Sequence, residues 1–211
     1  MATRFVFFDL GNVLVKFDVR RLIRQVAELV DRDIEQVAES IFGNDLHRDL
    51  ECGRIDLVDY YEGFCRRVDA RPDFDRLLHA VNDMFWANDS IVPVLETLAR
   101  QSFPRGILSN TGPSHWEHCS GTFDYIQAHL PKHHILSYEI GAMKPDAAIY
   151  DAAERVAAGA VPGIRREEIF FTDDREDNIE GAQAAGFDAV LYRRTDELVE
   201  QLARRGVPVP E

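Results

Sequence analysis

Four consecutive apolar residues, Phe5-Val6-Phe7-Phe8, run without a polar interruption into Asp9, and Gly11 and Asn12 follow at once. Three aromatics and a β-branched residue closed by turn formers fit a strand covered on both faces, as in the centre of a parallel sheet. Sheets of that kind gather their ligands at the carboxyl ends of the strands. Asp9 is then expected at the mouth of a crevice, poorly solvated and held by a rigid element. The purely structural use of the same residues is an Asp that caps a turn, with Gly11 supplying a positive φ.

Behind this strand the period changes. Val19, Leu22, Ile23, Val26 and Val30 form one apolar stripe, and Ile34, Val37, Ala38, Ile41 and Phe42 a second. Leu57, Tyr60, Tyr61, Phe64 and Val68 make a third, opened by Asp56 as N-cap, and Phe74, Leu77, Leu78, Val81 and Phe85 a fourth. Each repeats at three and four residues, the spacing of an amphipathic helix, and no strand signal interrupts them. The expectation is a helical lobe over residues 17–88, set into a core made of residues 1–16 plus 89–211.

From Ser90 strands and helices alternate, the pattern of an α/β doubly wound parallel sheet. Strands are expected at Arg105–Leu108, around His134–Leu136, at Ile169–Thr172 and at Ala189–Tyr192. Pro145 reads as the first residue of a helix, where its missing N–H costs nothing. The strand ends carry Ser109-Asn110, Lys144 a few residues beyond, and Asp173-Asp174. Together with Asp9 these supply a nucleophile, hydroxyl and amide donors, one cation and paired carboxylates. That set suits phosphoryl transfer with Mg²⁺, which prefers hard carboxylate oxygens. Asp9 can accept a phosphoryl group if Lys144 and the metal neutralise the repulsion between the two anions.

The formal net charge of −13 argues against nucleic acid and anionic membranes as partners, and leaves a small phosphorylated metabolite possible because one cation in a cleft outweighs a distant surface. The three cysteines follow no ligand spacing and fit a reducing, cytoplasmic setting. No secretory pattern opens the chain, and no apolar stretch approaches the ~20 residues that span a bilayer. His115, His118 and Cys119 read as a partly exposed helix turn rather than a metal site. Glu51, between helices, is either a substrate-reading residue or a solvated loop charge.

The motifs in order resemble the haloacid dehalogenase superfamily: Phe8-Asp-Leu-Gly-Asn-Val13, Leu108-Ser-Asn-Thr111, Lys144-Pro145, and Phe171-Thr-Asp-Asp-Arg-Glu-Asp-Asn178 followed by Ile-Glu-Gly-Ala182. The resemblance implies a Rossmann-like core with residues 17–88 as a C1 cap that closes over the site. It also implies Asp9 as nucleophile, Ser109, Asn110 and Lys144 on the phosphoryl group, and Mg²⁺ held by Asp9, the Gly11 carbonyl and Asp174, with Asp173 as the alternative within the acidic pair. Family phosphatases carry an acid/base Asp two residues after the nucleophile, and here that position is Gly11. The sequence is similar in this to the bacterial α-D-glucose-1-phosphate phosphatase branch, and it also resembles the phosphatase-like N-terminal group of epoxide hydrolases. A phosphatase acting on a sugar phosphate is therefore the expected function. The alternatives are a 2-haloacid dehalogenase, which needs no acid but also no paired carboxylates, and a weakly catalytic phosphate-binding regulator.

Overall fold

The computed structural model describes residues 2–210. Phe5–Phe8 forms β1, with all four side chains buried. The chain then makes β2 (Val15–Phe17) and five helices: α1 (Val19–Val30), α2 (Ile34–Phe42), α3 (Asp45–Glu51), α4 (Leu57–Val68) and α5 (Phe74–Asn82). After β3 (Phe85–Ala87) come α6 (Val92–Arg100), β4 (Arg105–Ser109), α7 (Pro113–Thr122), α8 (Asp124–His129), β5 (His134–Leu136), α9 (Ser137–Ile140) and α10 (Ala147–Ala160). The last elements are β6 (Ile169–Asp173), α11 (Glu176–Ala184), β7 (Asp188–Leu191) and α12 (Thr195–Arg204).

Five strands make one parallel sheet in the order β5-β4-β1-β6-β7. The order runs outward from β1 in both directions, so the crevice of a doubly wound sheet opens at the carboxyl end of β1. Because side chains alternate across a strand, β1 feeds two cores. Val6 and Phe8 join Leu95, Ile126, Leu198 and Leu202 on one face, while Phe5 and Phe7 join Ile149, Tyr150 and Ala182 on the other.

The helices between β2 and β3 pack around a separate cluster that includes Leu22, Val26, Val37, Ile41, Phe64 and Leu77. Asp18, Asn44, Asp56 and Asp73 cap four of them, each side chain accepting from a first-turn backbone N–H. Chain entry and exit lie side by side, since β2 and β3 pair antiparallel with Val15 opposite Ala87.

Three local expectations change. Phe85 belongs to β3 and not to the helix of the fourth stripe, α5, which ends at Asn82; a three-residue strand has too few alternations to stand out from a helical stripe beside it. Seven-residue α3 leaves no readable stripe in the sequence, because only Leu46 and Leu50 mark its apolar side. Pro145 lies ahead of α10, which begins at Ala147 after a turn closed by Asp146 N–H to the Met143 carbonyl; the Lys144–Pro145 peptide is cis.

Candidate active site

Asp9 directly follows β1, and its N–H donates to the Thr172 carbonyl of β6 at 3.0 Å, so its main chain continues the sheet. Its side chain meets the Lys144 ammonium at 2.8 Å. The same ammonium donates to Asp173 Oδ2 at 2.5 Å and to the Leu108 carbonyl at 2.9 Å, which uses all three of its protons. Lys144 is almost wholly buried, and a lone ammonium there would be strongly disfavoured. Burial alone would lower its pKa, but Asp9 and Asp173 outweigh burial and raise it, so the amine stays charged. The Asp9 carboxyl is pushed up to about 7, first by burial and then by Asp173 and Asp174, against the pull of Lys144.

Asp173 and Asp174 differ in how they are held. Asp173 is fully buried; besides Lys144 it accepts from Arg175 N–H at 2.9 Å and, through both oxygens, from Asn178 Nδ2 at 3.0 Å. Asp174 is half-buried and lines the cleft, and it accepts from Asn12 Nδ2 at 2.7 Å. Oxygens of Asp9, Asp173 and Asp174 lie within 4.8 Å of one another. Three carboxylates against one ammonium leave an excess of negative charge in a tight space. Asn178, 2% exposed, keeps its Oδ1 without a hydrogen-bond partner among the described residues.

The other expected residues fall unevenly. Asn110 lines the cleft, but its side-chain amide clamps the Lys144 main chain, donating to the Lys144 carbonyl at 2.9 Å and accepting from its N–H at 2.8 Å. Ser109 is buried just behind it, and its hydroxyl has a single long contact, 3.4 Å to the Asn110 carbonyl. Gly11 borders the cleft through an isolated bridge to Val15. Its φ is not positive: the left-handed residue in this loop is Asn12, at φ 56°, a residue type that tolerates that region. Cys119 is fully buried in the sheet core rather than on a partly exposed turn, and its thiol is pushed up to about 12 by burial.

The cleft, about 560 Å³, is completed by Phe17, Arg48, Glu51, Met143 and Asp146 among others. Phe17, Arg48 and Asn12 escaped the sequence reading. Asn12 had a signal, a turn former three residues after Asp9, but its partner Asp174 lies 162 residues away. Phe17 and Arg48 look like ordinary core and surface residues until the helices are folded back over the sheet.

Against known proteins, the haloacid dehalogenase-like hydrolase family matches residues 3–186. The chain belongs to that family. This hydrolase is 24% identical to Phosphatase MT3486 of Mycobacterium tuberculosis, over 97% of this chain and 94% of that protein. An uncharacterized Saccharomyces cerevisiae protein, YMR130W, is 33% identical over 103 residues; the match takes in 44% of this chain and spans only a third of the yeast protein's length. Among solved structures, the family enzyme bt-2542 of Bacteroides thetaiotaomicron superposes with a TM-score of 0.83 at 24% identity, covering 96% of this chain and 99% of that one. The same Bacteroides enzyme has been crystallised with magnesium, in a structure 25% identical to this chain, covering 92% of this chain and 94% of that one at a TM-score of 0.80.

Proposed function

We propose that this hydrolase is a Mg²⁺-dependent phosphatase of small phosphomonoesters, sugar phosphates among them, working through an aspartyl-phosphate on Asp9. The observation that carries the reading is the Lys144 ammonium fixed between Asp9 and Asp173, with Asp174 completing a trio of facing carboxylates. The phosphatase named among its relatives and the magnesium held by the Bacteroides enzyme support it.

The donor set fits Mg²⁺: hard oxygens, more negative charge than Lys144 cancels, and an unpartnered buried acceptor on Asn178. Asp9, Asp174 and the Gly11 carbonyl would hold the ion. Asp173, with its oxygens already engaged by Lys144, Asn178 and Arg175, serves to orient the lysine from behind. When bound, the metal offsets the repulsion between carboxylate and phosphate. Asp9 then forms the bond to phosphorus as the bond to the leaving oxygen breaks; that oxygen keeps the electron pair, departs as an alkoxide or aryloxide, and takes its proton from solvent. Lys144 stays on Asp9 and meets the phosphoryl charge, Asn110 keeps Lys144 in place, and the Ser109 hydroxyl turns toward a phosphate oxygen.

In this reading residues 17–88 act as a cap on a core of residues 1–16 plus 89–211. The single β2–β3 neck and the reach of Arg48 and Glu51 into the cleft support that division. A cytoplasmic setting is supported by three buried free thiols, and no helix among the described residues is long and apolar enough to cross a membrane.

Purified protein should hydrolyse p-nitrophenyl phosphate with Mg²⁺, and the activity should disappear in EDTA and in Asp9→Asn. Activity that persists in EDTA refutes the proposal. A panel of phosphorylated metabolites then ranks the natural substrates.

A further inference from the structure

Hydrolysis through an aspartyl-phosphate ends with attack by water, and a base that takes the water's proton speeds that step. Position 11 offers none. Its space is also taken, because a Cβ on Gly11 would lie 2.9 Å from Phe17 Cε1. In-line displacement brings the attacking oxygen to phosphorus from the side opposite the bond that breaks. Water attacking a phosphoryl group on Asp9 therefore comes from the side away from the sheet. The carboxylates of Asp146, Asp174 and Asp177 all belong to segments that follow sheet strands, whereas Glu51 is the one cleft-lining carboxylate contributed by the helices between β2 and β3, among the described residues.

Glu51 ends α3, with its side chain 17% exposed, and lines both the cleft and a small inner cavity of about 30 Å³. In that cavity His47, one helical turn earlier, places Nε2 3.4 Å from Glu51 Oε1. No protein hydrogen bond claims Oε2 among the described residues. Arg48, the neighbouring cleft residue, forms no ion pair with Glu51.

We propose that Glu51 is the general base of the dephosphorylation step and that His47 is the residue that positions it. The inference rests on the phosphatase reading. A water lone pair forms the new P–O bond as the bond from phosphorus to Asp9 breaks and its electron pair returns to the Asp9 carboxylate. The water's proton passes to Glu51 and then to solvent, and inorganic phosphate leaves. The groups facing Glu51 are His47 and Arg48 on α3, Tyr60 on α4, His115 on α7 and Lys144 beyond the cleft. Burial alone would raise the Glu51 carboxyl. The hydrogen bond and charge of His47, with the charge of Lys144, hold it below its usual range, so it is ionised at neutral pH; His115, pushed down to about 4 by burial, is neutral there.

The test is rapid-quench kinetics of Glu51→Gln on p-nitrophenyl phosphate in Mg²⁺. The expected result is a burst approaching one nitrophenol per enzyme, then a steady rate lowered about 10²- to 10³-fold, with acid-trapped phosphoenzyme labile to hydroxylamine. Glu51→Asp, folded as the wild type by circular dichroism, should recover part of the steady rate. His47→Gln should move the acid limb of kcat to higher pH, because Glu51 loses the cation that keeps it ionised. A Glu51→Gln steady rate within threefold of wild type overturns the proposal, as does loss of burst and steady rate together; an unmoved acid limb in His47→Gln overturns the part given to His47. A wild type that hydrolyses no phosphate ester in Mg²⁺ refutes the phosphatase reading itself, a result distinct from an active wild type that Glu51→Gln leaves unchanged.

Discussion

The charge on Asp9 is held at a cost to the fold, and that cost has a pH dependence. Burial first, then Asp173 and Asp174, push its carboxyl up to about 7, against roughly 3.9 in an unfolded chain. A raised acid pKa means that the folded protein binds this proton more tightly than the unfolded one does. The stabilisation is complete below the unfolded value and is lost as pH rises through about 7. Lys144 does not reverse this between pH 4 and 8, since its own pKa is raised and its charge is constant there. Asp9→Asn should therefore raise the thermal midpoint in EDTA at pH 8 by roughly 5 °C or more, with the gain shrinking toward pH 5. A gain that grows on acidification would show that Lys144 governs Asp9 more strongly than desolvation does.

At the scale of elements, the loop after β1 is shaped by β2. Gly11 is small because the Phe17 ring stands over it, and not because of its backbone angle. Gly11→Asp alone should destabilise by about 1–3 kcal/mol in urea unfolding, and Phe17→Leu in the same chain should recover most of that loss. In the wild type, with no acid at position 11, aryl phosphates should outpace primary alkyl phosphates such as a hexose 6-phosphate, and the double variant should narrow the gap. A flat dependence on leaving-group pKa would mean that another residue protonates the alkoxide. The reach of the sequence follows the same scale. Phe5–Phe8, Ile107-Leu108 and Phe170-Phe171 announce buried strands because both faces of each are apolar, and turn residues after them mark where chemistry collects. The Asn110 clamp on Lys144, the Asn12 bond to Asp174 and the Phe17 shield over Gly11 join residues distant in sequence or of unremarkable type, and no local period encodes such pairings. Length hid β2, β3 and α3: three to seven residues hold too few repeats of either period.

For the whole molecule, a net charge of −13 surrounds a cleft that, on the proposed function, receives an anion. Arg48 brings a cation to the cleft without an acidic partner among the described residues, while Arg175 is paired with Asp177 and Lys144 is saturated. Salt should screen the long-range repulsion more than the local attraction, so kcat/KM on a phosphate ester should rise roughly two- to fivefold between about 20 and about 200 mM NaCl, and more steeply in Arg48→Ala. A fall with salt would mean that the local field of Arg48 dominates encounter. The sheet order has a consequence of another kind, for a chain emerging from a ribosome. The central strand is made first, yet its two neighbours begin only at Arg105 and Ile169. At about 5–20 residues per second, the second neighbour is complete roughly 10–30 s after Phe8 has been added. The helices before β3 close through short-range contacts in that interval, while Phe-Val-Phe-Phe waits with both edges unpaired until β4 is made and with one edge open until β6 follows. The strand that organises the finished protein is the one the cell must shield longest.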